Sequence, residues 1–266
     1  MDYSKLTVEE LKQIISNLGL DIPQIGSGLN KNIIKQDLID LISQHKCKGE
    51  EWYKREKINV RSEYAEIWRA CCHKDCNYIL KYQSFEQDEF GPKITPADIK
   101  NEVKIQNEIS KFGLCPKVED YWISKTGGTI VMKALKFTVR DIIKKYVTLE
   151  VRLEIILNVL NLILKLHNKG YAHGDMHLNN MMVDFDVDDY EKANKYTSEI
   201  EQYKKINYKY FFIDMGMTKR TNNKKIYKDD FERVYDDIEF MLNYEKVINK
   251  QNLVYLLSII NLLKTK

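Results

Sequence analysis

The chain has little excess charge of either sign and lacks a long apolar run. It holds 42 basic and 39 acidic residues among 266, a net charge of +3, which does not require a polyanionic partner. The longest apolar candidate is interrupted by Asn158, Asn161 and Lys165, so it is predicted to be a core helix and not a membrane span. The polar start "MDYSKLTVEE" is unlike a signal peptide. We therefore expect a cytoplasmic or nuclear protein that is not secreted and has no membrane partner.

Cysteines are few, and their number is odd: Cys47, Cys71, Cys72, Cys76 and Cys115. An odd number without a secretory signal predicts reduced thiols. The run "CCHKDC" contains zinc-ligand residue types. Neighbouring strand residues point to opposite faces, however, and no second ligand pair follows at zinc spacing. A plain hairpin turn is therefore favoured over a metal site.

Internal repeats and low-complexity tracts are also absent. The apolar content of 44% is ordinary for a globular protein and does not indicate disorder. A chain of this length can form one large domain or a large and a small one, and it is long enough to bury a sizeable core.

A small helical module is predicted at residues 1–48. The segment "LTVEELKQIISNLG" begins with the capping-box pair Thr7 and Glu10, carries an apolar stripe and reaches Gly19, which suits a helix end. A loop containing Pro23, Gly26 and Gly28 follows. The segment "KQDLIDLISQH" then predicts a second amphipathic helix.

This helix–loop–helix pattern resembles the SAP motif, a small module often used on DNA. The resemblance covers about 40 residues, and the loop here is longer than is usual in that family. The five lysines of residues 1–46 are balanced by six acidic residues, whereas a phosphate-binding surface is normally basic. DNA binding and protein docking both stay open as roles of the module.

Residues 49–266 have a different pattern. Segments rich in Tyr, Ile and Trp predict a hairpin at "NVRSEYAEIWRACC" and "NYILKYQSF". A helix is predicted from Thr95 to Gly113, followed by two strands around the Gly-Gly turn of "KVEDYWISKTGGTIVMKAL". A long helix, two short strands and closing helices complete a two-lobed α+β arrangement.

The loop "HGDMHLNN", residues 173–180, concentrates polar side chains between a buried helix and an apolar strand. Polar groups in such a place need partners or a function. Other polar residues join them: Lys81 is predicted to end an apolar strand, Glu102 and Glu108 lie on the following helix, and Asp214 follows another apolar strand. Phosphoryl transfer from a nucleotide needs such a set, because its catalysis is mainly positioning and electrostatics.

At these positions the sequence resembles the protein-kinase-like superfamily, over roughly residues 55–245. The resemblance implies a bilobal fold and binding of ATP and Mg²⁺. "HGDMHLNN" matches the catalytic loop, with Asp175 as base and Asn180 as metal ligand, and "IDMG" matches the magnesium motif, with Asp214 as ligand. "YILK" implies that Lys81 anchors phosphate. The spelling "HGD" and the His at position 177 are similar to those of small-molecule kinases and of the atypical kinase of the KEOPS complex.

The remaining roles also follow from the resemblance. Glu102 best fits the ion-pair partner of Lys81, and Glu108 is the reserve choice. "IVMKAL" matches the hinge, so the backbone of Lys133, Ala134 and Leu135 is expected to meet adenine. His173 is expected to orient the loop. Asp236 and Asp237, on a C-terminal helix, are expected to brace it.

Some features depart from the family pattern. The phosphate-covering stretch "VRSEYAEIW" has no glycine, although Ser62 and Ala65 are small enough to lie near phosphates, and its two glutamates add negative charge. Gly174 replaces the usual Arg, so a phosphorylated activation loop would lack its partner. Only 50 residues follow Gly216, which leaves little room for large peptide-docking helices. A polar insert lies between Asp175 and Asp214.

The sequence therefore predicts an α+β, kinase-like domain at residues 49–266 behind the module at 1–48. The favoured function is ATP- and magnesium-dependent phosphotransfer to Ser or Thr of a protein substrate. Two alternatives stay open: a small-molecule kinase, and a catalytically weak pseudokinase that serves as an interaction module.

Overall fold

The structure is a computed structural model, and it describes residues 3–17, 20, 35–45, 47–58, 65–73, 75–86 and 93–244. The predicted helix end at Gly19, the loop with its proline and two glycines, and the predicted phosphate contact Ser62 lie outside the described residues. The fold is mixed α+β. The chain forms two compact units, which are described separately: the first is Met1–Lys93 with Glu119–Ala134, and the second is Ile94–Val118 with Leu135–Lys266.

The first unit begins with the predicted helix pair. After a 3-10 turn at Tyr3–Lys5, helices α1 (Val8–Asn17) and α2 (Lys35–Gln44) follow. Thr7 Oγ1 accepts a hydrogen bond from the Glu10 N–H at 3.2 Å, and Glu10 Oε2 accepts one from the Thr7 N–H at 2.6 Å, which confirms the predicted capping box. The two helices share their own apolar cluster, formed by Tyr3, Leu11, Ile15, Leu38, Ile39 and Ile42.

A five-stranded sheet forms the rest of the first unit. Its strands are β1 (Tyr53–Ile58), β2 (Glu66–Cys72), β3 (Asp75–Ser84), β4 (Val118–Ile123) and β5 (Gly127–Lys133), in the order β1-β2-β3-β5-β4. Strand β1, with the polar sequence "YKREKI", was not predicted. The pairs β1–β2, β2–β3 and β3–β5 are antiparallel. The strands of each predicted hairpin are neighbours in this sheet, but the predicted Gly-Gly turn is wrong, because Gly127 and Gly128 begin β5.

The cysteines correct one expectation from the sequence. Cys47 is joined to Cys72 and Cys71 to Cys76 by disulfides, and only Cys115 remains a free thiol, which is buried. The prediction of reduced thiols is thus wrong for four of the five. Cys71 and Cys72 are adjacent at the end of β2, where the pairing with β3 is irregular, and each is bonded to a different partner.

The second unit opens with α3 (Pro96–Ser110). Thr95 Oγ1 accepts a hydrogen bond from the Asp98 N–H at 3.3 Å, which confirms the predicted helix start. At the other end Gly113 adopts a positive φ of 70°, a conformation that favours glycine after a helix.

The further helices that the structure describes in this unit are α4 (Val139–Lys145), α5 (Leu149–Asn168), α6 (Val187–Ala193), α7 (Glu199–Lys205) and α8 (Lys224–Tyr244). Helix α5 is the predicted core helix, and ten of its residues are buried. The polar insert forms α6 and α7. Within the described part of the chain, no helix is long and apolar enough to cross a membrane.

Short strands frame the polar loop. They are β6 (Phe137–Thr138), β7 (Tyr171–Ala172), β8 (Met181–Asp184), β9 (Lys209–Phe212) and β10 (Lys219–Arg220). A three-stranded sheet has the order β6-β8-β9, and β7 pairs with β10. A continuous apolar core packs α3, α4, α5 and α8 around these strands, so the loop between β7 and β8 is held on a packed base.

Candidate functional site: the loop at residues 173–180

Sheet register places two predicted metal ligands at one end of the β8–β9 pair. Met181, the first residue of β8, lies opposite Phe212, the last residue of β9. Asn180, just before β8, and Asp214, two residues after β9, therefore lie at the same end of the strand pair. The Ile213 N–H donates to the Asn180 carbonyl oxygen at 2.9 Å. The turn of the 3-10 helix Leu178–Asn180 is thereby fixed beside the turn Met215–Met217.

Asp175 is in contact with three polar side chains. Asn180 Nδ2 donates to the carbonyl oxygen of Asp175 at 2.9 Å and to its Oδ2 at 3.0 Å. His177 Nε2 lies 3.6 Å from Oδ2, and Arg233 Nη1 lies 3.3 Å from Oδ1. The Asp175 side chain is 37% exposed, so it is held in place and still accessible to solvent.

Asp230 on α8 fastens the start of the loop. Its Oδ2 accepts hydrogen bonds from the His173 N–H at 2.8 Å and from His167 Nε2 at 3.0 Å, and its Oδ1 accepts one from the Gly174 N–H at 3.0 Å. Burial raises the pKa of Asp230, but the hydrogen bonds from His167, Gly174 and His173 outweigh burial, and the net pKa lies below its usual value. Asp230 is therefore a charged anchor beneath the loop.

His173 connects the loop to the segment after β9, in agreement with its expected orienting role. Its Nε2 donates to the Ile213 carbonyl oxygen at 2.9 Å, and its Nδ1 accepts a long hydrogen bond, 3.4 Å, from the Asp175 N–H. Complete burial lowers the pKa of His173, which favours the neutral ring with its proton on Nε2. The ring thus connects the Asp175 backbone to the segment between β9 and Asp214.

Gly174 is required by the backbone at the position where the kinase pattern has Arg. Its φ is 82°, and a Cβ added there would lie 2.7 Å from the Met217 carbonyl oxygen. Real Cβ atoms essentially never approach another atom so closely, and positive φ disfavours side chains further. The close approach of the Met217 carbonyl oxygen therefore explains why glycine stands between His173 and Asp175.

Helix α8 holds the loop at a second point. Of the two aspartates expected to brace the loop, Asp237 does so and Asp236 does not. Asp237 Oδ2 accepts a hydrogen bond from the Leu178 N–H at 2.8 Å, and its other oxygen pairs with Arg140. Asp236 is exposed. His177 adds a local brace, because its Nδ1 accepts a hydrogen bond from the Asn180 N–H at 3.2 Å.

Glu102 lies close to the turn that follows Asp214. A Cβ built on Gly216 would lie 3.3 Å from Glu102 Oε2 and 3.7 Å from Asp214 Oδ1, so both carboxylates flank this glycine. Glu102 is only 2% exposed, and Asp214 is exposed with a left-handed φ of 57°. The reserve choice, Glu108, instead accepts a hydrogen bond from the Tyr171 hydroxyl at 2.7 Å.

The predicted nucleotide contacts of the first unit are positioned by its sheet. Lys81 is buried in the middle of β3, opposite Ile130 of β5; the prediction that it ends its strand is wrong, because β3 continues to Ser84. Ala65 precedes β2 and is half-buried. Their roles stay predictions.

The predicted adenine contacts follow the end of β5. Lys133 is the last residue of that strand, and Ala134 comes directly after it. The Ala134 N–H is already used in a hydrogen bond to the Asn77 carbonyl oxygen at 2.7 Å. Leu135 begins the next segment of the second unit. The expectation that these three backbones meet adenine stays a prediction.

The chemistry of the donor set fits Mg²⁺, which prefers carboxylate, amide oxygen and water. Both amide hydrogen bonds of Asn180 to Asp175 come from Nδ2, so the amide oxygen is directed away from Asp175. Asp214 supplies an exposed carboxylate on the neighbouring turn. These two residues would hold the ion.

Sequence reasoning missed Asp230, His167 and Arg233. One signal was available, since Asp230 has the helical spacing of the buried residues Val234 and Ile238 on α8. A carboxylate on the apolar face of a helix needs a buried donor. Comparison of the chain with protein-family models and with curated proteins finds no match.

Proposed function

We propose that the chain is an ATP- and magnesium-dependent phosphotransferase whose acceptor is a Ser or Thr hydroxyl of a protein substrate. The proposal rests on one observation: Asp175 is held by Asn180 in a loop anchored on Asp230, and sheet register brings Asn180 next to the turn that carries Asp214. A positioned carboxylate beside two oxygen ligands for a divalent cation is what phosphoryl transfer to a hydroxyl needs.

Each residue has a distinct role in this proposal. Asp175 accepts or orients the proton of the acceptor hydroxyl, and Asn180 fixes that carboxylate through its Nδ2 while offering its oxygen to the cation. Asp214 supplies the second cation ligand. When bound, Mg²⁺ and ATP supply charge neutralisation and the transferred phosphoryl group.

The test separates binding from turnover. With radiolabelled ATP, Mg²⁺ and a mixture of protein and small-molecule acceptors, Asp175→Asn should bind ATP like wild type and lose about 10²–10⁴-fold in turnover. Asp214→Ala should lose magnesium-dependent ATP binding. Asp236→Asn, on the exposed side of α8, is the matched control and should keep both properties. Undiminished turnover in Asp175→Asn would contradict the proposal.

One contact favours the pseudokinase as a second candidate. Arg233 Nη1 lies 3.3 Å from Asp175 Oδ1, so a cation already occupies one oxygen of the proposed base. If the chain is a pseudokinase in which Arg233 blocks Asp175, the wild type should bind ATP and Mg²⁺ without measurable turnover, and Arg233→Ala should raise turnover. Because the Arg233 side chain is 54% exposed, its removal should change stability by less than about 1 kcal/mol.

A further inference from the structure

Three metal-ligand side chains meet in the first unit, away from the loop at residues 173–180. Cys47 comes from the segment after α2, Cys72 ends β2, and His73 forms the turn toward β3. One ligand atom of each lies within 4.8 Å of the other two. Cys47 and Cys72 are separated by 25 residues in sequence and by 5.6 Å between their Cα atoms.

In the sequence, only "CCHKDC" contains zinc-ligand residue types, and no second ligand pair follows it at zinc spacing. The structure supplies the missing residue from upstream, since Cys47 lies against the end of β2. Cys71 belongs to a different arrangement, because it is bonded to Cys76. The relevant set is therefore Cys47, Cys72 and His73.

Two thiolates and one imidazole are soft and borderline ligands that suit Zn²⁺ in tetrahedral geometry. We propose that reduction of the Cys47–Cys72 disulfide creates a zinc site whose protein ligands are Cys47, Cys72 and His73. The disulfide and the zinc site exclude each other, because the same two sulfur atoms form both.

The reaction balances with a dithiol reductant. The reductant gives two electrons and two protons, the S–S bond breaks into two thiols, and the reductant is oxidised to its own disulfide. Zn²⁺ then displaces the two thiol protons and binds the thiolates. No other reactant is needed.

Neighbouring groups are placed to support the metal-bound form. Tyr3 Oη lies 2.8 Å from His73 Nδ1, and His73 Nε2 lies 3.2 Å from the His45 carbonyl oxygen. Whichever ring nitrogen binds zinc, the other has a partner for its proton: Tyr3 Oη beside Nδ1, or the His45 carbonyl oxygen beside Nε2. Such an outer hydrogen bond orients metal-binding histidines in general. His45 is not counted among the ligands, because its Nε2 lies 3.1 Å from Glu51 Oε2; water can fill the fourth position of a tetrahedral zinc ion.

The site would connect the helix pair α1–α2 to the β2–β3 hairpin in both the oxidised and the reduced protein. Cys47 directly follows the helix pair α1–α2, and Cys72 and His73 belong to the β2–β3 hairpin. In the oxidised protein a covalent bond connects these parts, and in the reduced protein zinc would connect them.

The experiment measures zinc in the full chain. Protein reduced with dithiol, mixed with excess Zn²⁺ and dialysed into metal-free buffer should retain about one zinc ion per chain, and oxidised protein treated in the same way should retain essentially none. Titration of the reduced, zinc-free protein with Co²⁺ should give the sulfur-to-cobalt charge-transfer band and the strong d–d bands of a tetrahedral thiolate site.

Variants identify the ligands. Cys47→Ser and Cys72→Ser should lose the zinc and the charge-transfer intensity. His73→Asn should weaken zinc binding at least about tenfold; Asn tolerates the positive φ of 54° at this position, so this variant keeps the turn. The matched control, Cys71→Ser with Cys76→Ser, should retain zinc.

Three results would overturn the proposal. They are zinc retained by the oxidised protein, no zinc in reduced protein that unfolds cooperatively, and loss of zinc in the Cys71→Ser, Cys76→Ser control while Cys47→Ser retains it. Urea unfolding of each variant distinguishes loss of a ligand from loss of the fold.

Discussion

Asp230 Oδ2 accepts a hydrogen bond from the His173 N–H at 2.8 Å, which connects α8 to the first residue of the polar loop across 57 positions of sequence. The same carboxylate also receives the Gly174 N–H and His167 Nε2. A buried acceptor with three donors fixes the backbone immediately before Asp175. The position of the proposed base thus depends on a residue that does not touch the reacting atoms.

Asp230→Asn should lower the free energy of unfolding by about 2–4 kcal/mol, because an amide nitrogen would replace one acceptor oxygen and leave buried donors unsatisfied. Urea unfolding at neutral pH measures the change. Activity should fall as well, since the loop loses its anchor.

The control for this prediction is the neighbouring Asp229→Asn, because Asp229 is exposed. Its effect should stay within about 0.5 kcal/mol. If both variants unfold at the same urea concentration as wild type, Asp230 does not anchor the loop.

Gly174→Ala should be more destabilising than Gly170→Ala, although the two glycines have nearly equal φ values of 82° and 81°. Both variants meet the cost of positive φ, about 1–2 kcal/mol. Only at Gly174 would the new Cβ meet a backbone oxygen at 2.7 Å; at Gly170 the nearest atom lies at 3.8 Å. Equal losses of stability in urea would show that the Met217 carbonyl moves away without cost.

Local signals in the sequence predicted much of the fold. The capping pairs Thr7–Glu10 and Thr95–Asp98 mark helix starts because their hydrogen bonds span only three residues. The loop at 173–180 was found in the same way, since its polar residues are adjacent in sequence and its flanking elements have clear periodicity.

Features that depend on distant contacts could not be predicted. Strand β1 has four successive charged residues between Tyr53 and Ile58, so it lacks the alternation that marks a strand. The Cys47–Cys72 bond and the contact of Asp230 with His173 join segments whose proximity only the folded chain determines. Lys81 is predicted to end its strand, yet backbone pairing continues to Ser84.

Alkylation tests the assignment of the cysteines. Burial raises the pKa of Cys115 to about 12, which reduces its thiolate fraction at neutral pH by roughly 10³-fold relative to an ordinary cysteine. Non-reduced, folded protein should therefore react very slowly with iodoacetamide. After unfolding in urea without reductant, mass spectrometry should show a single alkylated cysteine, Cys115.

The control adds a reductant before unfolding, after which all five cysteines should be modified. Modification of five cysteines in unfolded protein that has never been reduced would contradict both disulfides. Fast modification of Cys115 in the folded protein would contradict its burial.

The unfolding free energy should fall as pH is lowered below about 6.5, in part because of His173. Burial lowers the pKa of this histidine in the folded protein, so below the unfolded pKa the unfolded chain binds a proton that the folded chain does not. The stabilisation is present above the unfolded pKa and is lost as pH falls toward the folded pKa. In His173→Gln, the decrease in unfolding free energy between about pH 7.5 and about pH 5.5 should be smaller by about 1 kcal/mol. Asn179→Gln changes an exposed residue of the same loop without a titrating group and should keep the wild-type slope. Identical slopes for His173→Gln and wild type would mean that the pKa of His173 is the same in the folded and unfolded protein, which would contradict the effect of its burial.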